Sequence, residues 1–175
     1  MKKIIVLFSV FVLASCVSLN KNDSRYIGNA VTDNGIAVNI NDALLKTNHE
    51  YVGDVNVTVF NGRVMLVGAV ASEKDRNTVL SKVRAVNGVK SVINHLELKG
   101  YESGQYGFDS GIHKLIVGKL LTNTNVASNN FKVVVFNKIA YVLGEASSVA
   151  EMNAVLKDIK ETSGVIGVRN NIIVK

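Results

Sequence analysis

The residues able to do chemistry in this 175-residue chain are few and scattered. There is one cysteine, Cys16, and there are three histidines, His49, His95 and His113, none with a second His or Cys at the spacing a metal site uses. No nucleophile stands in a motif with a base, and no paired carboxylates form a recognisable acid–base pattern. The glycines of GYESGQYG, residues 100–107, lack the Gly-Lys-Ser or Gly-Lys-Thr ending of a phosphate loop and follow the last strand of a folded unit. They read as a linker, with Tyr101 and Tyr106 expected to pack between the units it joins. The expectation is a non-enzymatic protein with no metal and no cofactor. A single thiol permits no intramolecular disulfide. The formal net charge of +6, with no tryptophan and few aromatic residues, is too thin a footprint for nucleic acid and suits an anionic membrane surface better.

Cys16 takes its meaning from what precedes it. Lys2 and Lys3 begin a charged segment, residues 4–13 are apolar, and small residues follow, so residues 1–15 read as a secretory signal peptide, too short to span a membrane. Leu13-Ala14-Ser15-Cys16 resembles the lipobox of bacterial lipoproteins. That resemblance implies that Cys16 becomes the acylated (diacylated and N-acylated, palmitate-type) first residue of the mature chain, followed by a flexible tether over residues 16–32. Each buried acyl CH₂ contributes about 0.8 kcal/mol, so three chains anchor without a transmembrane helix. Val17, where a sorting aspartate would otherwise stand, implies the outer membrane by resemblance to enterobacterial-type lipoproteins.

The elements that position everything else occur twice. Residues 33–98 align on residues 109–174 without a gap, with Asp33/Asp109, Gly35/Gly111, Ile36/Ile112, Leu45/Leu121, Phe60/Phe136, Asn61/Asn137 and Gly68/Gly144 identical. Each copy opens on an Asp that can cap a helix whose apolar residues recur at a spacing of four: Ile36, Ile40 and Leu44, or Ile112, Ile116 and Leu120 with Leu115 beside them. A strand follows, which in the second copy is apolar on both faces after Lys132 and so more buried. Asn61-Gly62 suits a two-residue type I′ hairpin, whereas Asn137-Lys138 is a poorer turn by the same rule. Gly68 and Gly144 mark a bulge or a close backbone approach in the returning strand. Ser72 and Ser148 cap a second helix, and a third strand closes each unit. The fold class is α+β: two tandem α-β-β-α-β sandwiches, each a three-stranded mixed sheet with two helices on one face. The first covers residues 33–99, the linker 100–107 and the second 108–175.

This unit order, the run from Val55 to Gly68 (VNVTVFNGRVMLVG) and the Val86-Asn87-Gly88-Val89 motif resemble BON domains. Two copies behind a lipobox resemble the dual-BON-domain outer-membrane lipoproteins of the DolP (YraP) type. The resemblance implies a periplasm-facing, lipid-anchored protein that binds anionic phospholipid, such as phosphatidylglycerol or cardiolipin, and supports envelope integrity. In that family the first helix of the second unit meets the lipid, with an aromatic wedge near its start. Gly111 stands at the matching position, and Phe108 lies three residues upstream. Around them His113, Lys114, Val117 and Leu121 complete the expected lipid-binding set. Val117 and Leu121 project away from the helix's inner stripe, and two readings remain open: burial against the first unit, or insertion among headgroups. A protein-interaction module held at the membrane only by its acyl chains, with an envelope protein as partner, is the alternative function.

Overall fold

A computed structural model describes residues 27–100 and 107–175. Cys16, the signal segment, most of the tether and both linker tyrosines lie outside the described residues. The first unit comprises α1 (Ile27–Thr47), a short α2 (Glu50–Asp54), β1 (Val55–Phe60), β2 (Arg63–Val70), α3 (Glu73–Arg84) and β3 (Ser91–Leu98). The second comprises α4 (Ser110–Thr122), a single 3₁₀ turn at Ser128–Asn130, β4 (Phe131–Phe136), β5 (Ile139–Ala146), α5 (Val149–Lys160) and β6 (Gly167–Val174). In each unit the central strand pairs antiparallel with the first and parallel with the third, which gives a mixed three-stranded sheet. None of the described helices is long and apolar enough to cross a membrane.

The two hairpins turn through the same geometry. Asn61 and Gly62 have φ of 52° and 77°, and Asn137 and Lys138 have 50° and 62°. Lys138 therefore holds a left-handed conformation that costs an L-residue roughly 1–2 kcal/mol. Part of that cost is offset by Asp109, whose Oδ2 accepts the Lys138 N–H at 2.7 Å. Asp33 does the same work more completely, its two carboxylate oxygens accepting the N–H groups of Asn61 at 2.7 Å and Gly62 at 2.8 Å. Here the expectation of a helix-capping aspartate fails. α1 begins at Ile27, so Asp33 lies inside the helix, and Asp109 makes no side-chain cap bond to α4. Both carboxylates instead close the hairpin that packs beside the helix.

Gly68 and Gly144 mark close approaches, not bulges, because strand register runs through both. A Cβ on Gly68 would lie 1.9 Å from the Asp54 carbonyl oxygen, and one on Gly144 would lie 2.2 Å from that of Asn130. The chain entering the first strand crosses directly over each glycine. Ser72 and Ser148 cap α3 and α5 as expected, accepting the N–H groups of Asp75 and Glu151 at 3.1 Å.

Alternation along the strands builds three cores. Val55, Val59, Val64, Leu66 and Val70 face α1 and α3, while Phe131, Val133, Val135, Ala140 and Val142 face α4 and α5. The intervening residues form a third core: Phe60, Met65, Val67 and Ala69 of the first sheet against Val134, Phe136, Tyr141 and Leu143 of the second. The sheets therefore pack back to back, and the layers run helices, sheet, sheet, helices. This explains why β2 and β5 are buried on both faces, and why β4 is more buried than β1. At the rim of the interface the Arg63 guanidinium donates to the carbonyls of Asn171 at 2.7 Å and Gly144 at 3.2 Å. Burial lowers its pKa, with the Glu145 carboxylate acting in the opposite direction. Asn61 Nδ2 donates to Glu145 across the same boundary at 3.0 Å, and the His95 ring lies 5.0 Å from that of Tyr141.

Candidate functional site

The chain enters α4 from the edge of β4. The Asp109 N–H donates to the Val135 carbonyl at 3.0 Å, and the Asn137 N–H donates to the Gly107 carbonyl at 3.1 Å. Residues 107–109 thus lie antiparallel along β4, with Phe108 opposite Phe136 and their rings 5.1 Å apart. Phe108 keeps 40 % of its surface exposed but is tied to the sheet. It does not project from α4 as a wedge at Gly111 would.

α4 buries Ile116 and Leu120, with Ile112 against Gly164. Leu115, expected in the inner stripe, is 55 % exposed, because it projects roughly 100° away from the line that Ile116 sets. Leu121 is 65 % exposed and Val117 half-buried. The reading that both are buried against the first unit is therefore wrong. That unit meets the second sheet to sheet, and opposite α4 it supplies only the far wall of a groove. Lys114 is exposed and has no acidic partner among the described residues, whereas Lys119 Nζ donates to the Glu161 carbonyl at 2.8 Å. No Asp or Glu occurs in α4 itself. A side chain at Gly111 would meet nothing within 4 Å.

The expected set thus divides. Gly111, Lys114 and Leu121 share the outward arc of α4 with Leu115. His113 and Val117 line the groove of 410 Å³ instead, which runs between α4, β4 and Val57 of β1 and which Leu121 borders. Phe108 and His113 line its 210 Å³ continuation.

The BON domain profile matches residues 32–100 and, separately, residues 108–175, the two units just described. The chain belongs to the BON domain family. Outer membrane lipoprotein DolP of Haemophilus influenzae is 27 % identical over 145 residues, covering 82 % of this chain and 75 % of that one. Osmotically-inducible protein Y of Escherichia coli is 26 % identical over 161 residues, 90 % of this chain and 78 % of that one. A 21 kDa hemolysin of Actinobacillus pleuropneumoniae is 28 % identical over 149 residues, 82 % and 74 % respectively.

The second BON domain also carries a polar cleft of 460 Å³ lined by Glu145, Glu151 and Lys175. Its carboxylates are engaged structurally. Glu151 accepts the N–H groups of Ala127 at 2.8 Å and Ser147 at 2.7 Å, and also the Ser147 hydroxyl at 2.7 Å. Burial alone would raise its pKa, but these bonds together hold it below the usual carboxylate range. Glu145 pairs with Lys175 and accepts from Asn61. Held below the usual range in this way, the Glu151 carboxyl is not poised for proton transfer at neutral pH. Among the described residues no three metal-ligating side chains converge, and the histidines stand apart: His49 before α2, His95 at the interface, His113 in the groove. The groove and the exposure of Leu115 escaped the sequence. The signal that could have exposed the interface was the apolar character of β2 and β5 on both faces.

Proposed function

We propose that this chain is a non-enzymatic outer-membrane lipoprotein, acylated at Cys16 and facing the periplasm, which docks on anionic phospholipid through α4 and supports envelope integrity. The observation that carries this reading is the outward face of α4: Leu115 and Leu121 exposed beside Lys114 on a helix with no acidic residue. Leucine burial contributes about 1.5–3 kcal/mol per side chain, and a lysine near an anionic surface about 1 kcal/mol. Their sum is a weak, reversible contact, suited to a protein already held at the surface by acyl chains. The likeness to the Haemophilus lipoprotein supports the location.

Flotation of residues 17–175 with vesicles tests the reading. Phosphatidylglycerol or cardiolipin vesicles should carry the protein up at low salt, and phosphatidylcholine vesicles should not. Lys114→Glu and Leu121→Asp should each weaken flotation by roughly tenfold or more, whereas Gly111→Trp should strengthen it. Absence of binding to anionic vesicles at low salt overturns the proposal.

A further inference from the structure

We propose that Asn87 is a site of spontaneous covalent modification: its side-chain amide is lost through a cyclic imide, leaving an aspartyl or isoaspartyl residue in the turn between α3 and β3. The dipeptide Asn-Gly occurs three times, at residues 34–35, 61–62 and 87–88. In all three the glycine leaves the attacking main-chain nitrogen unhindered and its backbone free to rotate. The structure separates them. Asn34-Gly35 lies inside α1, where the helical ladder engages the Gly35 N–H and holds the backbone away from ring closure. At Asn61-Gly62 both reacting groups are engaged: the Gly62 N–H donates to Asp33 at 2.8 Å, and the Asn61 amide donates to Glu145 at 3.0 Å. Asn87 and Gly88 are both exposed, and among the described residues neither the Asn87 side chain nor the Gly88 N–H has a partner. A single long bond, from the Val89 N–H to the Val86 carbonyl at 3.3 Å, closes the turn around them.

The reaction needs only water and hydroxide. The Gly88 nitrogen, deprotonated by hydroxide, attacks Asn87 Cγ; the new N–C bond forms as the side-chain nitrogen leaves as ammonia, taking a proton back from water. Water then opens the ring at either carbonyl. Opening at Cγ restores the main chain and leaves Asp, whereas opening at the main-chain carbonyl leaves isoaspartyl, with the chain running through Cγ and one carbon longer. That carbon falls where the turn is tightest. A Cβ on Gly88, whose φ is 91°, would lie 2.8 Å from Ile36 Cδ1, and one on Gly62 would lie 2.9 Å from the Gly88 carbonyl oxygen. Two residues on, the Lys90 N–H donates to the Gly62 carbonyl at 2.8 Å. The turn is thus wedged between α1 and the β1–β2 hairpin, and an isoaspartyl link there loosens the first domain. The second domain repeats the turn, with Gly164 also at φ 91° and against Ile112, but Ser163 stands where the first has Asn87 and cannot form the imide.

The test ages residues 17–175, which contain both folded domains, in mildly alkaline buffer at physiological temperature and then digests them with trypsin. Cleavage after Arg25, Lys46, Arg63, Arg84 and Lys90 puts the three Asn-Gly sites in separate peptides, residues 26–46, 47–63 and 85–90. Peptide 85–90 should gain the mass difference between amide and acid, in two chromatographic forms. It should do so about tenfold or more faster than the other two, where hydrogen bonds must first break. In urea the three should convert at similar rates. Asn87→Ser, which copies the second domain, should stay unmodified. Aged wild type should also unfold at a lower urea concentration than Asn87→Asp, which carries the new charge without the longer backbone. Conversion of peptide 85–90 no faster than that of 47–63 in the folded protein overturns the assignment, and an aged protein as stable as Asn87→Asp overturns the loosening.

Discussion

Replacing Asp33 by Ala and by Ser separates two roles for one carboxylate. As a helix cap, Asp33 would be replaceable by Ser with little loss, since the two residue types cap about equally well. As the acceptor of two hairpin amides it is not, because a hydroxyl can reach at most one of them. Hydrogen bonds to a charged group contribute roughly 1.5–3 kcal/mol each, so Asp33→Ala should cost about 3–6 kcal/mol. Asp33→Ser should recover less than half of that. The buried site, with Asp33 only 3 % exposed, argues for the upper part of the range. Asp109→Ala loses a single, more exposed bond to Lys138 and should cost no more than about 1.5–3 kcal/mol. Urea unfolding followed by far-UV circular dichroism reads the difference directly as a shift in midpoint at constant slope. Equal losses at Asp33 and Asp109, or a Ser variant as stable as wild type, would refute the turn-closing role.

The strained Lys138 gives the opposite sign: Lys138→Gly should raise the unfolding temperature by a few degrees, since the roughly 1–2 kcal/mol relieved exceeds the 0.5–1 kcal/mol entropic cost of glycine. A lower melting temperature would show that the turn is not strained at Lys138. Glu151 has a folded-state pKa below its unfolded one, so its stabilisation is fully present above the ordinary carboxylate range and is lost as pH falls through the folded value. Urea midpoints measured from pH 6 down to pH 3 should fall more steeply for wild type than for Glu151→Gln; parallel curves would dismiss the linkage. Arg63→Ala deprives the carbonyls of Gly144 and Asn171 of their donor across the interface and should cost about 1.5–3 kcal/mol. Calorimetry should then resolve two transitions where wild type shows one, and an unchanged single peak would count against Arg63 as an interdomain clasp.

Local rules made the units legible. Ser72 and Ser148 sit where a capping motif puts them, and Asn61-Gly62 turns as an Asn-Gly hairpin must. What the sequence concealed depends on residues far apart in the chain. Asp33 looks like a cap because Asp favours caps, but its partners lie 28 and 29 positions away in a hairpin. Leu115 looks internal because a three- and four-residue spacing admits it, yet the stripe actually used, Ile112, Ile116 and Leu120, leaves it outside. Of the proposed lipid contacts, Lys114, Gly111 and Leu121 fall together on the outward arc, while His113 and Val117 belong to a groove that exists only because two sheets are stacked.

That stacking also constrains how the molecule can sit. α4 lies in the outer helical layer of the second domain, so the part of its exposed face that carries Gly111, Lys114 and Leu115 points away from the first, while Leu121 sits at the rim of the groove that the first domain borders. Docking through α4 places the first domain, and the start of α1, on the far side of the sandwich from the membrane. Adjacent layers are about 10 Å apart, so the four layers span about 30 Å between outer helices. From Cys16 to Ile27 the chain can reach at most about 40 Å. An acylated Cys16 can therefore lie in the same leaflet that α4 touches, but with little slack. On the proposed reading, in which Cys16 is acylated and α4 docks, the short reach would raise the effective concentration of membrane at α4, so that a contact of two leucines and one lysine would suffice.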